Sequence, residues 1–466
     1  MKKSSNQLAI SNKQLFLNIY SRLRKQYAIS NKQLFFNIHS SKNNYCPLQI
    51  ARCRLPIANC PLQIALLCLL LIAYCPFSFA QTPITLQAAI DTALKNNLSL
   101  RSENLNAEYL QKITGTAWTI PQTNVSFGYG QINSNYADNQ VIVSQNIKFP
   151  TVYTRQKELF EEEWKSGMLN VSVREAELKK RVTHVYYELV FLQQKQKLLQ
   201  HSDSIYAAFV EKAELRFEKG ESNILEKTTA ETQRGQITQQ LKQLQQDIAI
   251  AQLQLKVLLN TATDFIPSQE NVKMQLVSLP DTSFLYNYAY IKFLQQQRQV
   301  SEARLKLEKS KLSPDLFASY NNMTMRGNGA DNKYYSGSTR FQSAQVGIGI
   351  PLFSGAQKNV IRAMTINKEL ARNNYIAGLQ IVQSQYLQAV QQYNRYLQTV
   401  NYYETTANKN AETIIQTANL QFLNGDINYL EWVLLTNQAI AIQSEYIDAV
   451  RNLNTSTIEI NSYINQ

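Results

Sequence analysis

The sequence predicts a mainly α-helical fold with a small β part that lies in a membrane. Three observations predict it: where the prolines fall, how apolar residues are spaced between them, and an internal repeat at an offset of 205 residues. After residue 81 the prolines are Pro83, Pro121, Pro150, Pro267, Pro280, Pro314 and Pro351. None falls in 151–266 or 352–466, two windows of about 115 residues rich in Gln, Leu, Ala, Glu and Lys. Proline removes a backbone donor and clashes with the preceding turn, so its absence permits long helices there.

Residues 1–80 read as a leader. They hold all five cysteines, ten of the 47 Lys and Arg, and none of the 34 Asp and Glu. The basic balance of the chain therefore belongs mostly to this segment, and it does not mark a nucleic-acid partner. The run ALLCLLLIA (65–73) has signal-peptide length and is short for a membrane span. Ser78-Phe79-Ala80 then gives a small-x-small cleavage pattern, so cleavage is expected between Ala80 and Gln81. An N-terminal anchor is the alternative; a lipoprotein site at Cys75 is disfavoured by bulky Tyr74. AISNKQLFLNI (9–19) recurs as AISNKQLFFNI (28–38), and CPLQIA (46–51) recurs at 60–65. Such repeats resemble translated repetitive DNA, and we expect the true start to lie downstream. The 386 residues from Gln81 have no cysteine, hence no disulfide framework and no thiolate chemistry. Export without cysteine suits a periplasmic or outer-membrane destination.

The helical windows carry narrow apolar seams. Val182, Val185, Leu189 and Leu192 step 3-4-3, and Leu241, Leu244, Ile248, Ala251, Leu255 and Leu258 step 3-4-3-4-3. The remaining faces are Gln, Asn, Lys and Glu. A hollow helical tube wetted inside and out has this pattern, and so does an elongated coiled coil.

Around the prolines the period changes to two. Val125, Phe127 and Tyr129 alternate with small or polar residues, as do Val141, Val143, Ile147 and Phe149. DLFASYNNM (315–323) and SAQVGIGIPLF (343–353) follow, the latter with Val346, Ile348, Ile350 and Leu352 on one face. These are strands about as long as a tilted barrel strand needs to cross a membrane, or else soluble hairpins capping a bundle. Four strands cannot close a transmembrane barrel, and open edges are not tolerated in lipid. Membrane strands of this number therefore imply an oligomer whose subunits share one barrel.

The repeat divides the exported part in two. FEKGESNILEKTTAETQ (217–233) matches FLNGDINYLEWVLLTNQ (422–438), with Phe217/Phe422, Gly220/Gly425, Asn223/Asn428, Leu225/Leu430, Glu226/Glu431 and Gln233/Gln438 identical. The first repeat, 81–280, is expected as a helix, a β-hairpin at 123–149, a long helix at 153–219, a turn near 220, a return helix at 222–260 and a linker. The second, 281–466, is expected as a helix at 285–312, a hairpin at 315–353, a long helix at 356–424, a turn near 425 and a return helix at 427–460. A helix of this length runs about 100 Å at 1.5 Å per residue. Glycine suits the two tight turns because positive φ is easiest without a Cβ.

On these residues the chain resembles the TolC family of outer-membrane efflux proteins, over about 84–460. LQAAIDTALKNNLSLR (86–101) looks like the family's opening helix, and Pro314-Asp315-Leu316 with PLFSG (351–355) matches its second half. The most specific feature is the doubled F-x-x-G-x-x-x-x-L-[DE] turn. The resemblance implies a homotrimer with a twelve-stranded β-barrel in the bacterial outer membrane, four strands per protomer, continuous with a long α-helical barrel through the periplasm. It implies an equatorial belt from 84–98, 261–290 and the C-terminal segment, with loops 131–138 and 324–341 outside. It makes the turns at Phe217, Gly220, Glu221, Phe422, Gly425 and Asp426 a docking tip for a periplasmic membrane-fusion adaptor. Glu226 and Glu431 match an acidic position near the family's pore constriction, where three copies concentrate negative charge and favour cations; solvated surface carboxylates are the plain alternative. Leu434 stands where some members have a second acid, and Ile427 where some have a base.

The implied function is a passive exit duct recruited by an adaptor and an inner-membrane RND or other pump. FPTVYTRQ (149–156) and KGESNILEKTTAE (219–231) look most like members paired with heavy-metal RND pumps, while multidrug efflux and type I secretion use the same duct. An exported coiled-coil scaffold without a pore is the rival. No enzyme is expected. His184 and Glu188 are spaced i, i+4, but His201 is the one other histidine after residue 80, so no metal site is expected. Met323 and Met325 are thin evidence for a soft-metal site. Gly128-x-Gly130 and Gly347-x-Gly349 lack the third spaced glycine of a nucleotide loop, and no cofactor is expected. No nucleophile-elbow, Walker or H-E-x-x-H pattern occurs.

Overall fold

The computed structural model describes residues 82–464 apart from 269, 270 and 277. The expected leader and the cleavage point at Ala80 and Gln81 lie outside the described residues. Both repeats fall in one compact unit.

The chain begins with β1 (Thr82–Ile84), which pairs in parallel with β4 (Phe265–Pro267) and so joins the start of the first repeat to its end. Two helices follow, α1 (Leu86–Asn96) and α2 (Leu98–Thr114), where one continuous opening helix was expected over 86–101. The break has a clear cause. Asn97 leaves the helical region at ψ 122°, and its side-chain oxygen caps α2 by accepting from Ser99 and Leu100 N–H at 3.0 and 3.1 Å. Its amide nitrogen donates to Leu258 O at 3.0 Å, which ties the break to another helix.

Strands β2 (Asn124–Gly130) and β3 (Asp138–Ile147) form the first hairpin. Helix α3 (Pro150–Glu218) runs 69 residues from a proline at its first position, where the missing N–H is harmless. Helix α4 (Ile224–Leu259) returns, capped by Asn223 at one end and closed by Asn260 in the left-handed region at the other. In the second repeat a 3₁₀ turn (Thr282–Asn287) precedes α5 (Ala289–Ser310), so the helix expected over 285–312 is broken near its start. Strands β5 (Asp315–Met323) and β8 (Phe341–Gly349) flank a two-strand loop element, β6 (Gly327–Asn328) with β7 (Tyr334–Tyr335).

The helix expected over 356–424 is three pieces. Helix α6 (Gly355–Tyr402) passes through a π turn (Tyr403–Ala407) into α7 (Asn408–Asn424). Helix α8 (Tyr429–Ile464) then returns. The π turn is held from outside: Glu404 accepts from Lys273 Nζ at 2.8 Å and from Tyr446 Oη at 3.1 Å, and Tyr403 donates to Glu445 at 2.7 Å. The linker around Lys273 is itself clamped by buried Asn454, which accepts from Met274 N–H at 2.8 Å and donates to Val272 O at 2.6 Å.

The seams read from the sequence meet one another. Val182, Leu189 and Leu192 of α3 share one core cluster with Leu244, Ala251 and Leu255 of α4, and Val185, Leu241, Ile248 and Leu258 pack at its margin. A second core joins Leu285, Ile291, Val382, Tyr386 and Ile460. A third lies near the two tip turns. Among the described residues no helix is long and apolar enough to cross a membrane.

Candidate functional site

Two regions carry the functional geometry: a four-stranded sheet at one end of the repeats and the two tip turns.

The sheet has the order β2-β3-β5-β8 and is antiparallel throughout. Residues directly opposite one another share a face, so the register assigns each side chain. Val125, Phe127 and Tyr129 lie opposite Val143, Val141 and Asn139. Val143 lies opposite Tyr320, and Ile147 opposite Leu316. Leu316, Ala318 and Tyr320 lie opposite Ile348, Val346 and Ala344. One face is therefore mainly apolar, with Asn139, Gln145, Asn322 and Gln342 as its polar members. The other is mixed but mostly polar or small, with Ser126, Gly128, Gln140, Ser144, Ser319, Asn321, Ser343, Gln345 and Gly347 beside Ile142, Phe317, Met323 and Phe341. The apolar side is uncovered within the subunit: Phe127 is 70% exposed, Val346 85% and Ile348 63%. Gly128, Gly130, Gly347 and Gly349 lie in these strands, away from any helix start.

At the loop end of the sheet a buried carboxylate joins both hairpins. Asp138 accepts from Ser134 and Thr324 hydroxyls at 3.0 Å each and from Arg326 N–H at 2.8 Å. Thr324 N–H donates back to Asn139 O at 2.9 Å.

The two tips share one backbone design. Gly220 has φ 72° and Gly425 φ 83°. In the first, Gly220 N–H donates to Phe217 O at 3.0 Å and Glu221 N–H to Arg216 O at 2.9 Å. In the second, Gly425 N–H donates to Phe422 O at 3.2 Å and Asp426 N–H to Gln421 O at 2.9 Å. These paired bonds are the Schellman helix ending, which needs a left-handed residue at the glycine position. Each return helix is then capped by the asparagine of the repeat: Asn223 accepts from Glu226 N–H at 3.1 Å and Asn428 from Glu431 N–H at 3.0 Å.

The two glutamates, matched in sequence, have different partners. Glu226 takes Arg216 at 3.1 Å, and its side chain is mostly shielded. The residue matched to Arg216 in the second repeat is Gln421. Glu431 instead turns back to accept from Asn428 N–H at 2.9 Å, completing a reciprocal capping box, and stays exposed. Lys227 donates to Glu214 at 2.8 Å, and that bond raises the lysine above its ordinary pKa. Leu434 and the turn residues Glu221, Gly425 and Asp426 are exposed; Phe422 is half-buried.

Sequence reasoning missed what holds the tips together. Phe209 of α3 stacks on Tyr429 and Trp432 of α8 at 4.7 and 4.5 Å between ring centres, with Phe422 and Tyr206 against the same group. Trp432 Nε1 donates to Asn419 at 2.7 Å, and Tyr206 Oη to Asn437 at 2.7 Å. The signal was present as aromatic pairs spaced i, i+3, 206/209 and 429/432, but their meeting is long-range.

Glu188, four residues after His184, is held bidentately by Arg451 at 2.6 and 2.8 Å. Met323 Sδ accepts from Asn133 at 3.2 Å. Among the described residues no three His, Cys, Asp or Glu side chains are grouped as a metal site.

A small antiparallel sheet with one mainly apolar face, carried on long paired helices, is an arrangement that solved outer-membrane channels share. The fold of this chain is that of the TolC-family channels. CusC, known from structures of its folding and transmembrane channel formation, is similar with a TM-score of 0.69 at 15% identity, over 84% of this chain and 95% of its own. The outer-membrane channel OprN is similar with a TM-score of 0.70 at 14% identity, over 84% of this chain and 94% of its own. The Campylobacter jejuni CmeC outer membrane channel gives 0.69 at 12%, over 81% and 85%. No family sequence profile matches the chain, and no curated protein matches it. At these identities the likeness establishes the fold.

Proposed function

We propose that this chain is the outer-membrane exit duct of a tripartite efflux system, a homotrimer working in the bacterial outer membrane and the periplasm. The observation that carries the reading is the sheet. Its edge strands β2 and β8 are unpaired within the subunit while one face is mainly apolar and exposed. In lipid such edges must be paired. Because the strands are four and alternate in direction, β8 of one copy meets β2 of the next antiparallel, and copies close a ring without a mismatch. Three copies give twelve strands, within the known range for barrels. The polar face then lines water, and the work is geometric, with no covalent step.

The tips are the surface for a periplasmic adaptor, through Phe217, Gly220, Glu221, Phe422, Gly425 and Asp426, and the adaptor links the duct to an inner-membrane RND or other pump. Glu431, exposed and without a cationic partner in its own turn, contributes negative charge at the mouth of the pore. Glu226, already paired with Arg216, contributes less. Cations, heavy-metal ions among them, are the cargo this charge favours.

The test is direct. Purified protein should migrate as a detergent-stable trimer, fractionate with outer membranes and conduct in planar lipid bilayers. A monomer in detergent that never conducts would sink the duct and leave a scaffold. Glu431→Gln should weaken cation preference; an unchanged reversal potential removes the role given to that carboxylate.

A further inference from the structure

The end of the sheet away from the helices holds a cleft that the duct itself does not need. It lies between the β2–β3 loop and the β6–β7 element and measures about 610 Å³, within the size range of small-molecule sites. Its floor is fixed. Buried Asp138 ties the two loops together through Ser134, Thr324 and the Arg326 N–H, and Asn133 donates across to Thr324 O at 3.3 Å. Two tyrosine rings line it, and each is seated against a glycine. A Cβ on Gly327, whose φ is 136°, would touch the Tyr136 ring at 3.7 Å, and one on Gly329 would strike the Tyr335 ring at 2.6 Å. Phe341 backs Tyr335 at 5.2 Å between ring centres, and Tyr136 stays 50% exposed.

The polar part of the wall is neutral on balance. Among the described residues it carries one cation, Arg326, and one anion, Asp331, beside the exposed amides of Asn135 and Asn328. Both charges are engaged. Arg326 lies over the Tyr136 ring at 5.6 Å, and Asp331 accepts from Tyr335 Oη at 2.8 Å and from Lys333 N–H at 3.2 Å. A phosphate or a metal ion would meet no net opposite charge here. Aromatic rings offer flat apolar contact, and amides offer donors and acceptors together. A ligand that answers both has apolar ring faces and hydroxyl edges, which is the chemistry of a sugar.

We propose that these loops bind a neutral saccharide, with ring faces against Tyr136 and Tyr335 and hydroxyls bonded to Asn135, Asn328 and Asp331. Loops set on a rigid sheet are a usual place for such a site. That the cleft faces outward rests on the duct reading, which puts the helices in the periplasm and the hairpin ends outside the cell. There the sugar comes either from the glycan of the outer leaflet around the barrel or from a free oligosaccharide.

The test uses full-length protein in a detergent without a sugar headgroup and saturation-transfer NMR on two kinds of probe. One is lipid-free core oligosaccharide released by mild acid from outer membranes of the producing bacterium. The other is a set of linear trisaccharides of glucose, galactose and mannose. Transfer to sugar ring protons is expected; the core probe alone points to the membrane glycan, and the trisaccharides to a free ligand. Tyr136→Ala should weaken binding by about tenfold, as loss of a stacked ring does. Asn135→Ala with Asn328→Ala should weaken it as well, and both variants should migrate as the wild-type oligomer, which separates lost contacts from misfolding. Excess inorganic phosphate should leave the signal unchanged. No transfer to either probe, well-folded variants that bind like wild type, or displacement by phosphate each overturn the saccharide site. Because the cleft lies within one subunit, sugar binding by a monomeric, silent protein keeps the site and overturns the duct. A conducting trimer that ignores both probes does the reverse.

Discussion

Arg216 and Glu226 form an ion pair across the first tip turn, Nη1 to Oε1 at 3.1 Å, and the matched place opposite Glu431 holds Gln421. One substitution therefore decides whether a repeated carboxylate binds a cation or caps its own helix. Arg216→Gln should make the first tip behave as the second does, with Glu226 turning back toward Asn223. Because the Arg216 side of the pair is open to solvent, the pair is worth about 0.2–1 kcal/mol, and global melting should barely move. Hydrogen exchange at 219–226 is the sensitive readout, and protection equal to wild type would count against the pair.

The tip glycines should resist replacement for a backbone reason alone. A Cβ built on Gly220 or Gly425 meets nothing within 4 Å, yet φ is 72° and 83°. Alanine at either should cost about 1–2 kcal/mol, the penalty of the left-handed region for an L-residue. Asparagine should cost less, because it tolerates that region. Thermal unfolding of the four single variants checks the ranking; equal melting for alanine and wild type would contradict it.

Trp432 is the centre of the tip cluster, buried and hydrogen-bonded to Asn419 at 2.7 Å. Trp432→Ala should destabilise by about 3–5 kcal/mol, the usual range for removing a buried large aromatic. Phe209→Leu, which keeps much of the volume, should cost less. Denaturant unfolding gives both numbers, and a Trp432→Ala variant as stable as wild type would remove the cluster from the account.

The two faces of the sheet should answer charge differently. Val143 lies mid-strand on the apolar face, between Val125 and Tyr320, while neighbouring Ser144 lies on the polar face. Val143→Lys should cost about 2–4 kcal/mol if the face meets the bilayer midplane. Ser144→Lys should be tolerated. The fraction folded into vesicles reads both, and equal losses would mean that the apolar face is not in lipid.

Tyrosines near the π turn should titrate late. The Glu445 carboxylate that accepts from Tyr403 pushes its pKa up to about 12, and burial with nearby Glu404 takes Tyr446 to about 12. Because the folded values are raised, their contribution to stability is complete below the ordinary tyrosine value of about 10 and is lost as pH rises through about 12. Phenolate absorbance should show a late-titrating group while the protein stays folded. Glu445→Gln should move Tyr403 earlier; a titration unaffected by that change would refute the bond.

Much of the architecture was legible because its causes are local or periodic. The proline-free windows became α3 with α4 and α6 to α8, and the seam residues from Val182 to Leu192 met those from Leu244 to Leu255. The alternation of Val125, Phe127 and Tyr129 became one face of a sheet. The breaks were less visible. Asn97 reads as an ordinary helix residue until its amide is seen bridging to Leu258. The π turn at Tyr403–Ala407 has no proline or glycine to announce it and is held by Lys273, far away in the chain.

By itself the sequence determined the repeat, the two glycine turns and the helix-strand order, since proline, glycine and apolar spacing act on a chain within a few residues. Only the tertiary structure decided which partner each side chain takes. Glu226 and Glu431 are identical in motif and opposite in bonding, and Phe209 finds Trp432 more than two hundred residues away. Such choices depend on which long helices lie side by side, and pairing across that distance leaves no periodic mark in the chain.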